Sequence, residues 1–562
     1  MLSGQSATPR ISSQATQVQD YDIIIIGSGA GGSTVARTLA DTGKKILLLE
    51  RGDFLPREKK NWDPEHIFTH RGYQIEEAWY DHEKQEEFLP QAFYRVGGNT
   101  KVYGSVLMRM RAEDFTEQRW PDGVSPAWPL DYSVYEPYYT RAEDWYCIHG
   151  KMGEDPTEPY HSSPDFPFEP MEHEPRIAEA AEELAAQGLK PIHSTLSLNR
   201  DPKYPERRPC IRCSTCDPYP CMLHAKQDAE TAGVRPALLH DNVELWTGAY
   251  VDKLTSSNGS KIDGVHVTVE GTNYVLRAET VVVSCGAVNS AALLMRSALT
   301  DKSDLLGRNL MKHNHSGLHA ISHRPNPTVF QKTLGFHDYY FKGPKEHQNY
   351  GLGAVQLTGK APWQRLKSFA EADMTDEHYQ YIERHCIDWW LTTDDLPDPT
   401  NRVRLTKDGR PALDFRPNNR LPHEELIETW ITHLRKTGDY SFLMRTMGIE
   451  VLWHQAGTAL FGEDAAKSVL DLNCRMHAYD NLYVVDSSFM PGMGAVNLTL
   501  TIIANAMRVA DHLRVKLGFA PSVDAATRAG THVVPVGTAR GTGSPSYAHR
   551  SPTPTEHIQT GG

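Results

Sequence analysis

The sequence predicts an α/β protein built on a parallel sheet, and the first ordered segment supplies the main observations. Tyr21 to Ile26 is a continuous apolar run, as expected of a parallel strand that is buried on both faces. A glycine-rich turn, a stretch of helical spacing from Ser33 to Thr42 and a second strand from Lys45 to Leu49 complete a βαβ unit. Strand-like runs return at Thr280 to Ser284 and Leu482 to Val485, so we expect a discontinuous domain.

The segments between these strands predict a second, α+β domain. Asn61 to Pro90 is rich in His, Trp, Asp and Pro and breaks the βαβ pattern. Asn401 to Phe415 alternates apolar and polar residues around Asp408-Gly409, which indicates a β-hairpin.

The predicted boundaries follow from these changes of pattern. The first domain is assigned residues 19–60, 90–155, 205–315 and 445–520, and the second domain residues 61–89, 156–204 and 316–444. Residues 1–18, rich in Ser, Gln and Thr, and residues 530–562, rich in Gly, Ser, Thr and Pro, predict a disordered leader and tail.

Composition excludes several classes of function. The net charge of -13 argues against a nucleic-acid partner, because binding to phosphates requires clustered Lys and Arg. No apolar run approaches the ~18 residues of a membrane span, so no membrane association is expected. The N-terminal segment lacks the basic region and apolar core of a secretory signal, which predicts a cytoplasmic location.

The turn after the first strand fits the pattern G-x-G-x-x-G and predicts a Rossmann-like dinucleotide site. Its first glycine permits a tight turn, its second lets the backbone approach a pyrophosphate, and its third allows close packing of helix and strand. Glu50 ends the second strand, where a carboxylate accepts hydrogen bonds from ribose hydroxyls. The predicted dinucleotide-binding residues of this region are Gly27, Gly29, Ala30, Gly31, Gly32, Glu50 and Arg51. The motif alone does not distinguish FAD from NAD.

Other segments extend the pattern over roughly residues 20 to 515. They are RVGGNTKVYG from Arg95, WPLDYSVYEPYYTRAE from Trp128, CGAVNSAALLMRS from Cys285, LGRNLMKH from Leu306, WHQAGTALFG from Trp453 and NLYVVDSSFMPGMGAVNLTLTIIANAMRVADHL from Asn481. In type and order these segments resemble those of the glucose-methanol-choline (GMC) oxidoreductases.

The resemblance implies a Rossmann-like FAD-binding domain of the GMC and p-hydroxybenzoate hydroxylase type, with an interleaved α+β substrate domain on an antiparallel sheet. It implies an enzyme that oxidises CH-OH groups by hydride transfer to flavin N5, with oxygen or another electron acceptor. GGNTKVYG and a cysteine-rich loop resemble the bacterial pyranose oxidase and C-glycoside 3-oxidase branch, which favours a secondary alcohol of a sugar or glycoside. Two alternatives are an oxidase or dehydrogenase of a sterol or other apolar alcohol and a flavin-binding relative without turnover. Neither the acceptor nor the oligomeric state follows from the sequence.

Residue roles carry over from the matching positions. His454 takes the position of the catalytic base, a role that suits histidine because its unperturbed pKa of ~6.5 lies near working pH. Asn497 takes the position of a partner that orients the hydroxyl. Leu498 stands where the family usually has proline. The FAD contacts implied by the resemblance are Gly97, Gly98, Asn99, Thr100, Val251, Asp486, Ser487, Asn497 and Thr499. Asn99 to Tyr103 contains no His to bond the flavin, so noncovalent FAD is expected.

Cys210, Cys213, Cys216 and Cys221 form a separate cluster. Its spacing is open to three interpretations: structural thiols, an iron-sulfur cluster or a zinc site. The bacterial ferredoxin pattern has proline after its last cysteine, whereas Pro220 precedes Cys221, so we predict structural thiols and no metal. The histidines between His313 and His323 are interpreted as domain-junction residues.

Overall fold

A computed structural model describes residues 17–201, 208–346, 348–369 and 374–522. The predicted tail and residues 1–16 of the predicted leader lie outside this range. The leader was predicted too long, because Gln17 and Val18 already pair with Tyr274 and Val275 in the first strand. Residues 17–20 are largely polar, so hydropathy does not reveal that their backbone continues the parallel pairing.

The central sheet has seven strands. Five of them are parallel, in the order Val243–Trp246, Ile46–Leu49, Gln17–Ile26, Thr272–Val283 and Leu482–Val484. Gly264–Val269 pairs antiparallel with Thr272–Val283, and Ala249–Thr255 pairs antiparallel with Gly264–Val269 at the edge of the sheet. All four residues of Ile46–Leu49 are buried, as a parallel strand covered on both faces requires. This confirms the predicted α/β fold class.

Helices cover this sheet. Ala30–Leu39 follows the first strand and packs against Thr499–Lys516, which also packs against Tyr132–Trp145. The Arg514 side chain ties two of these helices together by donating to the carbonyl oxygen of Thr38 at 2.9 Å. Among the described helices, none has the length and apolarity needed to cross a bilayer.

The second domain contains a six-stranded antiparallel sheet, as expected. Its strands, in sheet order, are Tyr440–Thr446, Asn314–Ser322, Cys386–Thr393, Ala354–Leu357, Leu334–Phe336 and Ile192–His193. Helices Pro175–Ala185 and Arg420–Thr437 pack on it around Trp389 and Trp430. The boundaries predicted at residues 315 and 445 are displaced, because each falls inside one continuous strand of this sheet.

The predicted hairpin consists of Arg402–Leu405 and Pro411–Asp414. It forms a four-stranded sheet with Trp79–Asp81 and Glu86–Phe88, so residues 61–89 do not join the six-stranded sheet. Trp79 is 1% exposed and packs against helix Ala287–Arg296 of the first domain, which explains why this segment lies beside that domain.

The remaining elements are short or peripheral. They are helices Arg235–Ala237, Trp363–Phe369 and Asp376–His385, the 3-10 or π turns Ala40–Thr42, Lys59–Trp62, Glu65–Thr69, Gly98–Lys101, Ala112–Phe115, Glu230–Val234 and Ser487–Phe489, and strands Gln118–Trp120, Gly123–Ser125, Ile148–His149, Leu196–Ser197, Met311–Lys312 and Gln455–Ala456.

Helix Arg420–Thr437 offers a matched test of this packing. Leu426 is 0% exposed and Leu421 is 47% exposed. Leu426→Ala removes buried methyl groups and leaves a cavity, so we expect it to lower the free energy of unfolding by ~2 to 5 kcal/mol. Leu421→Ala should change it by less than about 0.5 kcal/mol. Urea unfolding followed by tryptophan fluorescence measures both, and equal effects would contradict the packing described.

Candidate active site

The main cleft of the first domain begins where three parallel strands end together. Gly27 has φ +100°, and a Cβ there would lie 2.2 Å from the carbonyl oxygen of Ser284. A Cβ on Gly31 would lie 1.7 Å from the carbonyl oxygen of Val485, and one on Gly32 would lie 1.9 Å from that of Gly27. Glycine is therefore required at these three positions by the protein's own backbone.

Gly29 differs from its neighbours because a Cβ there would meet no protein atom within 4 Å. It is the N-cap of helix Ala30–Leu39 and offers no side-chain cap. The helix N-terminus therefore presents its first N-H groups, and the positive end of its dipole, to the cleft without a capping side chain. This open cradle fits a pyrophosphate, which is the group that the second glycine of the motif admits.

Glu50 lines the cleft and is held by the glycine turn. Its Oε2 accepts hydrogen bonds from Ser28 Oγ at 2.6 Å and from Ser28 N at 3.2 Å, and its Oε1 accepts from Gly52 N at 3.0 Å. Ser28 Oγ also accepts from Gly97 N at 3.1 Å. Ser28 therefore joins the glycine turn, the predicted ribose-binding acid Glu50 and residues 97–104, called the second glycine loop below. Burial raises the pKa of Glu50.

Arg51 forms the far wall of the cleft with two aromatic rings. Its guanidinium lies 3.7 Å from the centre of the Tyr94 ring and 4.8 Å from that of Tyr250, and it is 2.9 Å from Glu77 Oε2. Tyr94 also donates to Glu77 Oε1 at 2.9 Å. These contacts order a flat, aromatic end of the cleft beside Val251.

Asp486 follows the last parallel strand and is buried. Oδ2 accepts from Gly286 N at 3.0 Å and Ser290 Oγ at 2.5 Å, while Oδ1 accepts from Ser488 N at 2.9 Å. These hydrogen bonds hold the start of helix Ala287–Arg296 against the strand end. Burial raises the pKa of Asp486, so the surrounding donors are needed to keep a charged carboxylate there.

The second glycine loop crosses the glycine turn. Gly98 has φ +58°, and a Cβ on it would lie 3.4 Å from the Cα of Gly29. The loop is anchored by the buried Lys101, whose ammonium lies 2.8 Å from Asp228 and 2.6 Å from Glu230. Asn99 Oδ1 accepts from the backbone N-H of Phe93 at 3.0 Å.

Most predicted site residues line this one cleft. They are Gly27, Gly29, Ala30, Gly31, Glu50, Arg51, Gly98, Asn99, Thr100, Val251, His454, Asp486, Ser487 and Thr499. Gly32, Gly97 and Asn497 do not line it. Gly32 faces the backbone of Gly27, Gly97 faces Glu230, and Asn497 is partly exposed just before Leu498, the N-cap of the last helix.

Several lining residues escaped sequence reasoning, among them Trp79, Tyr94, Tyr250, Trp453 and Gln455. They belong to no glycine pattern. Trp453 and Gln455 flank His454 in the segment WHQAGTALFG, and this adjacency is the signal that could have pointed to them.

His454 lines the cleft, and its partner is His313. Strands Met311–Lys312 and Gln455–Ala456 pair antiparallel, and the next residues in that register are His313 and His454. Their Nδ1 atoms are 2.9 Å apart, and His313 Nε2 is 2.8 Å from the carbonyl oxygen of Gly494. Burial and the nearby Lys312 ammonium lower the pKa of His454 to about 4, so its imidazole is neutral at pH 7.

Of the histidines between His313 and His323, interpreted above as domain-junction residues, the first two cluster with His454. His315 Nδ1 accepts from the indole N-H of Trp390 at 3.1 Å, and its ring centre is 4.9 Å from that of His454. His313, His315 and His454 each offer a ring nitrogen within 4.8 Å of the others. Their clustering could not be read from the chain, because 141 residues separate His313 from His454.

The four clustered cysteines lie beside the second glycine loop as free thiols. The buried Lys226 ammonium donates to the carbonyl oxygens of Tyr103 and Tyr219 at 2.8 Å, which fastens the cysteine segment to that loop. Burial raises the pKa of Cys210 to about 12. The absence of a metal or iron-sulfur cluster there stays a prediction.

The parallel sheet, the glycine turn with its open cradle and the acid after the second strand define a dinucleotide-binding protein of the Rossmann-like type. Two family models described as GMC oxidoreductase match residues 21–315 and 432–506, which is more than half of the 562 residues. The chain therefore belongs to the GMC oxidoreductase family, and it is an FAD-dependent alcohol or sugar oxidase or dehydrogenase.

Curated relatives agree with this assignment. The chain is 29% identical to paromamine 6'-oxidase of Streptomyces fradiae, with 87% of this chain and 90% of that protein covered. It is 30% identical to 6'''-hydroxyparomomycin C oxidase of Streptomyces lividus, with coverages of 88% and 92%. The crystal structure of pyridoxine 4-oxidase from Mesorbium loti superposes with a TM-score of 0.62 at 18% identity, covering 88% of this chain and 99% of that one, which shows the shared fold.

Substitution of two glycines of the turn should have different effects, on FAD affinity at Gly29 and on folding stability at Gly31. Gly29→Ala places a Cβ in the open cradle, so the FAD-free protein should unfold at the wild-type temperature while the dissociation constant of FAD rises at least tenfold. Gly31→Ala drives a Cβ into the Val485 carbonyl oxygen and should lower the unfolding temperature of the FAD-free protein itself. Calorimetry and fluorescence titration with FAD measure both quantities. Wild-type FAD affinity in Gly29→Ala would contradict the assignment of the cradle.

Proposed function

We propose that this enzyme oxidises a secondary alcohol of a sugar or glycoside, with His454 as the base that removes the hydroxyl proton. The observation that carries the proposal is the position of a neutral imidazole on the wall of the same cleft that contains the glycine cradle and Glu50. A base and an FAD site on one cleft are what alcohol oxidation requires.

The protein's part in this reaction is to bind, orient and deprotonate. The Gly29 cradle would hold the pyrophosphate of FAD, Glu50 a ribose, and the Arg51 and Val251 end the adenine. When bound, FAD supplies the acceptor at flavin N5 for the hydride that leaves the carbon. Asn497 would orient the hydroxyl, a role that rests on the family resemblance alone.

The lowered pKa of His454 keeps its imidazole unprotonated, and so able to accept a proton, at neutral pH. A general base must be unprotonated to act, and a pKa of about 4 leaves His454 neutral from about pH 5 upward. Burial is the main cause of the lowered pKa, and the buried Lys312 ammonium adds to it. His454 therefore combines exposure to the cleft with a protonation state that is fixed by the protein.

A sugar substrate is supported by the aromatic wall beside the base. Trp453 lines the cleft next to His454 and stacks on the buried Trp390, with ring centres 5.9 Å apart and planes at 23°. Such a supported indole is a rigid platform for the C-H face of a pyranose ring. The two Streptomyces relatives are named as oxidases of paromamine and of 6'''-hydroxyparomomycin C. A sterol substrate would need a pocket dominated by apolar and aromatic side chains.

An anaerobic substrate panel tests the proposal. Purified enzyme would be mixed with pyranoses, aryl glycosides, aminoglycosides and a detergent-solubilised sterol, and the flavin absorbance followed. We expect bleaching with at least one carbohydrate and none with the sterol. Bleaching by the sterol alone would favour the apolar-alcohol alternative, and no bleaching by any alcohol would favour a protein without turnover. Repeating the productive reaction with oxygen and with a quinone identifies the acceptor.

Removal of the base should affect the chemical step and leave the cofactor in place. A general base contributes typically 10² to 10⁴ in rate, so His454→Ala should slow flavin reduction by about that factor. Asn497→Ala should have a smaller effect, because an amide orients the hydroxyl and does not take its proton. Stopped-flow absorbance measures the rate and the flavin spectrum measures the FAD content. A near wild-type rate in His454→Ala would refute the assigned base.

The FAD should be released on acid denaturation, because the second glycine loop has no histidine for a covalent bond. Precipitation with trichloroacetic acid should leave yellow flavin in the supernatant and none on the protein. Flavin that stays with the precipitate would contradict noncovalent binding.

A further inference from the structure

His313 has a hydrogen-bonding geometry that determines where the protons of the His454 pair lie. A carbonyl oxygen only accepts, so the 2.8 Å contact of His313 Nε2 with Gly494 O places a proton on Nε2. Burial lowers the pKa of His313 well below its usual value, so its ring is neutral and its Nδ1 bears a lone pair. The 2.9 Å bond between the two Nδ1 atoms therefore uses a proton of His454.

This arrangement decides the tautomer of His454. The neutral imidazole has one N-H proton, and because that proton lies on Nδ1, the Nε2 atom carries none. Among the residues that the structure describes, His313 is the one that hydrogen-bonds the imidazole of His454, and the ring lines the cleft. Nε2 is thus the nitrogen left to receive a proton from a substrate.

We propose that His313 is a positioning residue, which fixes His454 as the Nδ1-H tautomer and presents the bare Nε2 to the substrate hydroxyl. The inference rests on the proposed function and adds a residue that the base needs in order to act. The anchor is the backbone of the Gly494 loop, which is itself held because Tyr340 OH accepts from Ala495 N at 2.7 Å and donates to Asp114 at 2.9 Å. When Nε2 takes up the substrate proton, the resulting imidazolium keeps its Nδ1-H bond to His313.

The three neighbouring imidazoles also have the spacing of a metal site, which is the competing explanation. Two contacts oppose it. The Trp390 indole N-H occupies His315 Nδ1, so neutral His315 has its proton on Nε2 and offers no free lone pair. The buried Lys312 ammonium next to the cluster repels a second cation. Hydrogen bonding accounts for the arrangement without a metal.

Two variants of His313 separate positioning from packing. His313→Leu fills the space without an acceptor, whereas His313→Asn returns an oxygen close to the position of Nδ1. His423→Leu is the matched control, because His423 is also buried but bonds to Ser316 and Thr393 and not to His454. For each FAD-loaded variant, stopped flow would give the limiting rate of flavin reduction and the apparent substrate dissociation constant.

We expect His313→Leu to lower the limiting rate by roughly 10²-fold, as for other groups that orient a catalytic histidine, with substrate affinity and FAD content within about twofold of wild type. His313→Asn should recover most of that rate, and His423→Leu should retain it. A wild-type rate in His313→Leu, or equal losses in His313→Leu and His313→Asn, would overturn the proposal.

A second readout does not depend on turnover. In protein labelled with ¹⁵N-histidine, the His454 signals, assigned by their loss in His454→Gln, should show a protonated Nδ1 and a bare Nε2. A proton on Nε2 would overturn the inference even if the enzyme is active. If no alcohol reduces the flavin, the proposed function fails, and the ¹⁵N spectrum still decides the tautomer.

The metal explanation is tested in the same sample by adding a chelator and then Zn²⁺. If the chelator alone changes the histidine signals of the purified protein, and Zn²⁺ restores them, the cluster is a metal site and the proposal is overturned.

Discussion

The ends of three parallel strands lie so close together that there is no room for side chains between their backbones at the glycine positions. The shape of the cleft depends on this close contact. Gly27, Ser284 and Val485 follow strands that lie far apart in the chain, yet Ser284 N donates to Ile26 O and Ser284 Oγ to Val485 O, both at 2.8 Å. Side chains at the glycine positions would separate these segments. Because the strand ends are fixed relative to one another, the cradle at Gly29, the acid Glu50 and the carboxylate Asp486 are fixed as well.

The site also depends on buried charges that are satisfied by nearby donors. Glu50 and Asp486 each accept several hydrogen bonds from N-H and O-H groups, so these carboxylates shape the cleft without needing a ligand to neutralise them. Lys101 ties the second glycine loop to Asp228, and Lys226 ties it to the segment that contains the cysteines. The pair of histidines, His313 and His454, is kept neutral by burial. Hydrogen-bonded carboxylates and ammonium groups thus hold the cleft in place around His454, which is neutral until it accepts a proton.

Local patterns predicted the βαβ unit, the glycine turn and the hairpin, because each depends on residues near one another in the chain. His454 was found through the order of several motifs, not from its immediate neighbours. His313 was missed because its role arises from the pairing of two-residue strands, which are too short to leave a periodic signal. Trp79 was assigned to the substrate domain for a similar reason: its contacts with helix Ala287–Arg296 are tertiary and have no counterpart in local composition.

The central claim is that the protein itself keeps His454 neutral and ready to accept a proton. The most direct measurement is the pH dependence of the flavin reduction rate of the wild-type enzyme under anaerobic conditions at saturating substrate. Because the base acts only when unprotonated, the account predicts a rate that is constant from pH 8 to about pH 5 and falls with an apparent pKa of about 4. A fall centred at the usual histidine pKa of ~6.5 or above would contradict it.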